Sequence, residues 1–151
     1  MQPQLICASA LPDNVTKQFL EDVFRTTLDI ARFSPECNIS LAFVSQAKIK
    51  ALNMEFAKNN YPTDVLSFSY PGKAILPSDI SGEVVICTSI AKSQAKENNT
   101  DLLSEIALLF AHGLIHLAGK DHQTKAEQAS FDSLQSAIIE SLSLKYRNMP
   151  W

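Results

Sequence analysis

The sequence has few cysteines, no long hydrophobic run and no basic character, and each shortage excludes a class of protein. Its three cysteines, Cys7, Cys37 and Cys87, are far apart and form no Cys-x-x-Cys pair, which favours reduced thiols over a disulfide framework. The longest apolar run, residues 106–111, is too short to cross a bilayer. The first residues lack the basic start and the apolar stretch of a secretory signal. We therefore expect a cytoplasmic protein with no membrane partner.

The charge of the chain argues against unspecific binding to nucleic acids. The net charge is −3 at neutral pH, with 13 lysines and arginines against 16 acidic residues. A protein that coats nucleic acid through its phosphates carries an excess of positive charge instead. Because net charge averages over the whole surface, a local basic patch is still compatible with this composition.

Length and patterning favour one domain over residues 1–151. The composition, 46% hydrophobic and 19% charged, is typical of a soluble globular domain, and the chain contains no repeat or low-complexity tract. Residues 71–79 form the one extended loop candidate. Periodicity predicts strands at residues 4–8, 38–44, 65–70 and 83–88, and helices at residues 15–33, 46–58, 89–97, 102–118 and 125–146. The predicted N-caps are Asn14, Ser45, Thr100 and Thr124, the last in a capping box with Glu127.

The order of these elements predicts the fold class. Strand–helix–strand–helix–strand at the start of the chain favours right-handed parallel crossovers. The fourth strand follows the third without a helix between them, which favours an antiparallel pairing. The expected fold is therefore α+β, close to α/β: a small, mixed, mostly parallel four-stranded sheet packed with about five helices.

All three histidines of the chain, His112, His116 and His122, fall within residues 112–122. Imidazole is the commonest neutral nitrogen ligand of first-row metals. His112 and His116 are four residues apart, so they project from one face of the predicted helix. Gly119 is placed to end that helix and to let the chain bring back His122. Three protein ligands leave a fourth position for water, as in catalytic zinc sites, although nickel, copper or cobalt would also bind three imidazoles.

The helix that carries two of these histidines is apolar almost throughout and should be largely buried, so its imidazoles need partners. A metal satisfies one nitrogen of each ring, and an outer oxygen can satisfy the other. Glu105 lies seven residues before His112, about 10 Å along the helix axis. That is too far for it to share a metal with His112, so we expect an outer-shell or structural role for Glu105.

The absence of a carboxylate between His112 and His116 limits the reactions that a metal at this site could catalyse. Zinc proteases of the His-Glu-x-x-His type use the glutamate as general base, but the residues between His112 and His116 are glycine, leucine and isoleucine. Metal-assisted phosphodiester hydrolysis needs no such glutamate, because metal-bound water is a sufficient nucleophile. No catalytic side chain is identified from the sequence. Asp121 is a candidate that assists proton transfer or orients a ligand, and the alternative is a loop acid that accepts backbone hydrogen bonds.

These residues resemble the signature of the YbeY family of metal-dependent endoribonucleases. The family pattern is His-Gly-x-Leu-His-Leu-x-Gly-Tyr-Asp-His, and residues 112–122 read His-Gly-Leu-Ile-His-Leu-Ala-Gly-Lys-Asp-His. Residues 62–68, Pro-Thr-Asp-Val-Leu-Ser-Phe, are identical to a second family segment. Residues 81–86, Ser-Gly-Glu-Val-Val-Ile, are similar to a third, Leu-Gly-Asp-Ile-Val-Ile.

The resemblance implies a mixed sheet under helices, with one divalent metal, usually zinc, held by His112, His116 and His122. It also implies an activity: cleavage of single-stranded RNA near the 3′ end of precursor 16S ribosomal RNA, in ribosome maturation and quality control. Unpaired RNA exposes its backbone to a cleft, which fits this substrate. The implied partners are the RNA precursor, the small ribosomal subunit and ribosome-assembly proteins.

One departure from the family pattern bears on substrate binding. The family carries an arginine in Asn-x-x-Tyr-Arg before the second segment, and this chain has Ala57 there, which cannot bind phosphate. Lys58 and Lys120, the latter in place of the family's tyrosine, are the candidate substrate-binding residues. Ala57 keeps a second hypothesis open: a ribosome-assembly factor that binds RNA or protein, with a mainly structural metal and weak or lost catalysis. A metallohydrolase of small molecules or peptides is disfavoured by the missing glutamate.

Overall fold

The computed structural model describes residues 2–70 and 79–150. All but one residue of the loop predicted at 71–79 lies outside the described residues. The described part contains four strands and five helices, as predicted. They are β1 (Leu5–Cys7), α1 (Lys17–Ala31), β2 (Asn38–Val44), α2 (Gln46–Ala57), β3 (Val65–Ser69), β4 (Ile80–Cys87), α3 (Thr88–Glu97), α4 (Leu102–Leu117) and α5 (Lys125–Ser141).

The sheet is mixed and mostly parallel, in the order β1-β2-β4-β3. β2 pairs in parallel with β1 and β4, whereas β3 pairs antiparallel with β4, as expected for consecutive strands. The expected parallel crossover from β2 to β3 is wrong, because β3 runs antiparallel at the edge and β4 lies between them. Burial accounts for this order: Val84 to Cys87 of β4 are buried on both faces of the sheet, which only an inner strand achieves.

Helix α4 is the centre of the packing. It contacts α1, α3 and α5 as well as β3 and β4, and twelve of its sixteen residues are buried. Gly113 allows the close approach of α4 to the sheet, because a Cβ at this position would lie 2.8 Å from Cγ1 of Val84. Helix α2 covers the opposite face, where Ile49 packs with Val85 and Cys87. The turn of α4 that carries His112 is thereby held directly against β4.

Two predicted helix caps are correct and two are wrong. Ser45 caps α2, and Thr124 with Glu127 forms the predicted capping box of α5. Helix α1 is capped by Thr16 instead of Asn14, because Asn14 has a φ of 65° and ends a turn. Asp101, one residue after the predicted Thr100, caps α4 by accepting a hydrogen bond from the Ser104 amide.

The last helix is shorter than predicted. Helix α5 ends at Ser141 and not near residue 146, because Ser143 turns into the left-handed region with a φ of 58°. The following residues, 142–150, form a segment that we call the tail. Its Lys145 amide donates to Oγ of Ser104 at 3.0 Å, and the side chains of Tyr146 and Met149 pack on the core. The tail therefore folds back along α4.

Within residues 2–70 and 79–150, no single helix has the length and hydrophobicity of a membrane span. Only α3 and α4 together reach those limits, and they are bent by 116° relative to each other.

Candidate metal centre

The three histidines converge as the spacing predicts. Helix α4 presents His112 and His116 one turn apart, and it ends at Leu117. Gly119, with a φ of +88°, then turns the chain back. As a result Nε2 of His116 lies 3.2 Å from Nε2 of His112 and 3.1 Å from Nε2 of His122.

Two of the imidazoles have an acceptor on their outer nitrogen. Nδ1 of His112 lies 2.8 Å from Oε1 of Gln135, and Nδ1 of His116 lies 3.2 Å from the carbonyl oxygen of Lys120. Since an oxygen of this kind only accepts, each Nδ1 carries the proton and donates it. Each Nε2 therefore presents a lone pair to the centre of the cluster.

This arrangement fits a divalent metal. Lone pairs that face one another at 3.1–3.2 Å repel unless a cation lies between them. With zinc–nitrogen distances of about 2.0–2.1 Å and tetrahedral angles, ligand nitrogens lie about 3.3–3.4 Å apart, close to the separations found here. Three imidazoles would leave one coordination position for water or substrate, the arrangement of catalytic rather than structural zinc.

Burial keeps His112 and His116 in the neutral form that binds metal. Desolvation, opposed by the hydrogen bond that His112 donates to Gln135 and assisted by His116 and His122, lowers the pKa of His112 to about 4. Desolvation, followed by the neighbouring His122, also lowers the pKa of His116. Phe131 of α5 lies under the cluster, with its ring centroid 4.9–5.1 Å from the three imidazole rings. Burial and the apolar ring of Phe131 therefore favour neutral imidazoles of His112 and His116 at pH 7.

The described residues form two depressions that the histidines help to line. The first, here called the cavity, has a volume of about 460 Å³. Its lining combines two of the three histidines with Asp64, with polar residues at the end of α3 and with residues of the tail. These are Asp64, Gln94, Glu97, Asn98, His112, His122, Arg147, Met149 and Pro150. The second, here called the groove, has about 380 Å³ and runs between β3 and α4. It is lined by Val65, Leu66, Ser67, Ser69, His112, Gly113, His116 and Leu117.

Asp64 and Gln135 were not predicted from the sequence to lie at this site, and neither was the place of Arg147 in the cavity. Asp64 lines the cavity and is fixed by its own contacts: Oδ1 accepts from the Val65 amide at 2.8 Å, and its carbonyl accepts from the Cys87 amide at 2.9 Å. Gln135 is fully buried on α5. Arg147 reaches the cavity from the tail. Asp64 had a signal in the family-like segment 62–68, and Gln135 had one as a polar residue on the apolar stripe of Phe131 and Ile138.

Glu105 has the structural role that its distance from His112 predicts. It is 1% exposed, and its carboxylate pairs with the Arg147 guanidinium at 2.5 and 2.9 Å.

The other predicted site residues, Lys58, Lys120 and Asp121, line neither the cavity nor the groove. Asp121 accepts hydrogen bonds from the His122 amide at 2.8 Å and from the Gln123 side chain at 3.0 Å. Asp121 and Lys120 line a separate depression next to Phe131. Lys58 is exposed at the C-terminal cap of α2. A catalytic role for Asp121 and substrate contacts by the two lysines stay predictions.

Comparison with known proteins identifies relatives over most of the chain. The sequence model of the family described as Endoribonuclease YbeY matches residues 8–143. A protein named Endoribonuclease YbeY from a Sulfurihydrogenibium species is 33% identical over 141 residues, which cover 92% of this chain and 91% of the relative. Its namesake from Desulforamulus reducens is 31% identical, covering 89% and 91%. The solution structure of TM1509 from Thermotoga maritima shares the fold, with a TM-score of 0.59 at 23% identity over 92% of this chain and 91% of that one.

Proposed function

Because the chain belongs to the endoribonuclease YbeY family, we propose that it is a metal-dependent endoribonuclease that cleaves single-stranded ribosomal RNA precursors in the cytoplasm. The proposed cleavage lies near the 3′ end of 16S ribosomal RNA, in maturation and quality control of the small ribosomal subunit. Zinc is the proposed metal, and His112, His116 and His122 are its proposed ligands.

The observation that carries this proposal is the convergence of three Nε2 atoms at the junction of the cavity and the groove. A bound divalent metal supplies Lewis-acid chemistry to a phosphodiester and lowers the pKa of water. The residues of the chain prepare the site for it. Gln135 and the Lys120 carbonyl orient two imidazoles, and Phe131 excludes water from beneath them.

The shape of the site favours an unpaired strand. The groove is bounded by an edge strand on one side and by α4 on the other, and it shares His112 with the cavity. An extended single strand can place its backbone along such a path, whereas the backbone of a duplex is held in a wide helix. Carboxylates near the path, Asp64 and Glu97, can accept hydrogen bonds from sugar hydroxyls or from water.

The central experiment is a His116→Ala variant compared with the wild-type protein and with Lys92→Ala, which changes an exposed residue of α3. Metal content, cleavage of a single-stranded ribosomal RNA fragment and accumulation of precursor RNA in cells would be measured together. We expect His116→Ala to lose metal and cleavage while it keeps its fold, and Lys92→Ala to behave as wild type. Normal RNA processing by a folded, metal-free His116→Ala protein would contradict the proposal.

Ala57 favours a second candidate function, that of a ribosome-assembly factor with a mainly structural metal. Ala57 is the exposed last residue of α2 and offers no group to a phosphate. A wild-type protein that holds metal but cuts no RNA with any divalent ion would support this second function. An Ala57→Arg variant that cuts RNA faster than wild type would instead show that the alanine weakens a real nuclease.

A further inference from the structure

Arg147 is the only lysine or arginine that lines either depression around the histidines, among the residues that the structure describes. It lies in the tail, after the last helix, and its side chain is 10% exposed. The same cavity contains His112 and His122, two of the proposed metal ligands. A cation from the end of the described chain is thus brought next to the site where a phosphodiester would be cleaved.

The guanidinium is held firmly along one edge. Its Nε donates to Oε2 of Glu105 at 2.9 Å, and its Nη2 donates to Oε1 of the same carboxylate at 2.5 Å. Nη2 also lies 3.4 Å from Oε1 of Gln94. A paired, two-point contact of this kind fixes the plane of the guanidinium, so its remaining donors point in a fixed direction.

The other edge of the guanidinium keeps a donor for a ligand. Nη1 carries two N–H groups and makes one long contact, at 3.4 Å, with the carbonyl oxygen of Asn148. The hydrogen bond to Glu105 also raises the pKa of Arg147, so the group stays charged. The guanidinium is therefore oriented by Glu105 and still has hydrogen-bond donors for an anion.

The charges of the cavity favour a cation at this position for an anionic substrate. Asp64 and Glu97 line the cavity, and the Glu105 carboxylate lies directly behind Arg147. Without the arginine, the charged side chains of this cavity would all be carboxylates, and only the proposed metal would attract a phosphate. With it, Glu105 is neutralised and a second positive charge lies at the cavity wall.

We propose that Arg147 binds a phosphate of the substrate strand, next to the phosphate that is cleaved. This inference rests on the proposed function, since it assigns the recognition of an RNA backbone to a residue of the tail. Glu105 acts as a positioning residue for the arginine. Because the contact is to phosphate and not to a base, it strengthens binding without selecting a sequence.

The competing explanation is that Arg147 only fastens the tail to α4, and the test must separate the two roles. Arg147→Gln alone leaves Glu105 buried without its partner, which lowers stability under either explanation. The double variant Glu105→Gln/Arg147→Gln removes both charges together and retains hydrogen-bonding groups at both positions. Arg147→Lys keeps the ion pair but lacks the second, outward donor edge. Arg32→Gln, at the exposed C-terminal cap of α1 and outside the cavity lining, is the matched control for the loss of one positive charge.

Binding would be measured by fluorescence anisotropy with a labelled single-stranded RNA and metal-free protein, over a series of salt concentrations. The same variants would be compared in melting temperature, metal content, and KM and kcat for RNA cleavage. We expect the double variant to fold and to hold metal as wild type, but to bind RNA about five- to tenfold more weakly. The slope of log affinity against log salt should fall by about 0.7, as for one lost phosphate contact to a single strand. KM should rise more than kcat falls, Arg147→Lys should weaken binding in the same direction, and Arg32→Gln should bind as wild type.

A double variant that binds and cuts RNA as wild type, with an unchanged salt slope, would overturn the inference and leave Arg147 as a structural clamp. If that variant does not fold, unaltered RNA affinity of a folded Arg147→Lys protein has the same meaning. Failure of the proposed function looks different: the wild-type protein would cut no RNA at all. The anisotropy measurement would still decide the role of Arg147 in that case, because it requires no turnover.

Discussion

Nδ1 of His112 lies 2.8 Å from Oε1 of Gln135, and both side chains are buried where α4 meets α5. The contact fixes which nitrogen of His112 carries the proton and turns Nε2 towards His116. Outer-shell acceptors of this kind hold metal-binding histidines in their tautomer and raise their basicity. Gln135 therefore links the packing of the last helix to the geometry of the metal site.

Replacing Gln135 should weaken metal binding more than it weakens the fold. A Gln135→Leu variant fills a similar volume but removes the acceptor for His112, and we expect its metal affinity to fall about 10- to 100-fold. Competition with a chelator measures the affinity, and the absorption spectrum of the cobalt-substituted protein reports the geometry. Gln135→Glu keeps an acceptor and should retain tighter binding than Gln135→Leu. Equal metal affinity of Gln135→Leu and wild type would show that the contact does not orient the ligand.

Gly113 should not tolerate a methyl group. In Gly113→Ala the new Cβ would meet the fully buried Val84 at 2.8 Å, and overpacking of a core costs about 1–3 kcal/mol. This exceeds the gain of about 1 kcal/mol that alanine brings to a helix. Urea unfolding should therefore show a lower free energy of unfolding for Gly113→Ala. The loss of unfolding free energy caused by Gly113→Ala should be smaller when it is measured in a Val84→Ala background. A Gly113→Ala protein more stable than wild type would contradict the close approach of α4 to Val84.

Bound metal should stabilise the protein against unfolding. At a free zinc concentration of about a thousand times the Kd, binding to the folded state alone adds about 4 kcal/mol to the free energy of unfolding. Differential scanning fluorimetry with and without zinc measures this as a rise in melting temperature. His116→Ala removes the central ligand of the cluster, so zinc should leave its melting temperature almost unchanged. A similar rise in both proteins would place the stabilising ion somewhere else.

Alkaline pH should destabilise the packing of the tail. Desolvation, followed by the Asp132 carboxylate, raises the pKa of Tyr146 to about 12. The unfolded chain ionises this phenol near pH 10, so the contribution of Tyr146 is complete below pH 10 and is lost as the pH rises towards 12. The free energy of unfolding, measured at about pH 9 and about pH 11, should fall for wild type.

Tyr146→Phe should remove part of that fall, because phenylalanine does not ionise. The matched control is Tyr61→Phe, which changes an exposed tyrosine and should show the same pH dependence as wild type. Identical pH profiles of the Tyr146→Phe and wild-type proteins would contradict a raised pKa at Tyr146.

The metal cluster was predictable because its geometry is local. A four-residue spacing on a helix and a glycine after the helix end determine where His112, His116 and His122 lie, and all of this is contained in residues 112–122. The direction of β3 relative to β2 is not determined by local sequence. It depends on which strand is buried on both faces, and that is decided by residues of β4 and α4 that are distant from β3 in the chain.

The surroundings of the cluster were less predictable for the same reason. Gln135 is 23 residues from His112, and Arg147 is 42 residues from Glu105. No helical or strand period relates residues so far apart, and the tail became part of the site only because α5 ends at Ser141. Lys58 and Lys120 were predicted as substrate-binding cations from their positions in the family pattern. Arg147 instead reaches the cavity because the tail folds back along α4.

The edge position of β3 gives the groove two walls of unequal strength. Helix α4 is embedded among three helices and the sheet, whereas β3 has one neighbouring strand among residues 2–70 and 79–150. A strand with one partner opens at a lower free energy than the core that it flanks, so its amides should exchange with deuterium before those of β4. The wall that holds the histidines can therefore stay rigid while the opposite wall yields to substrates of different bulk.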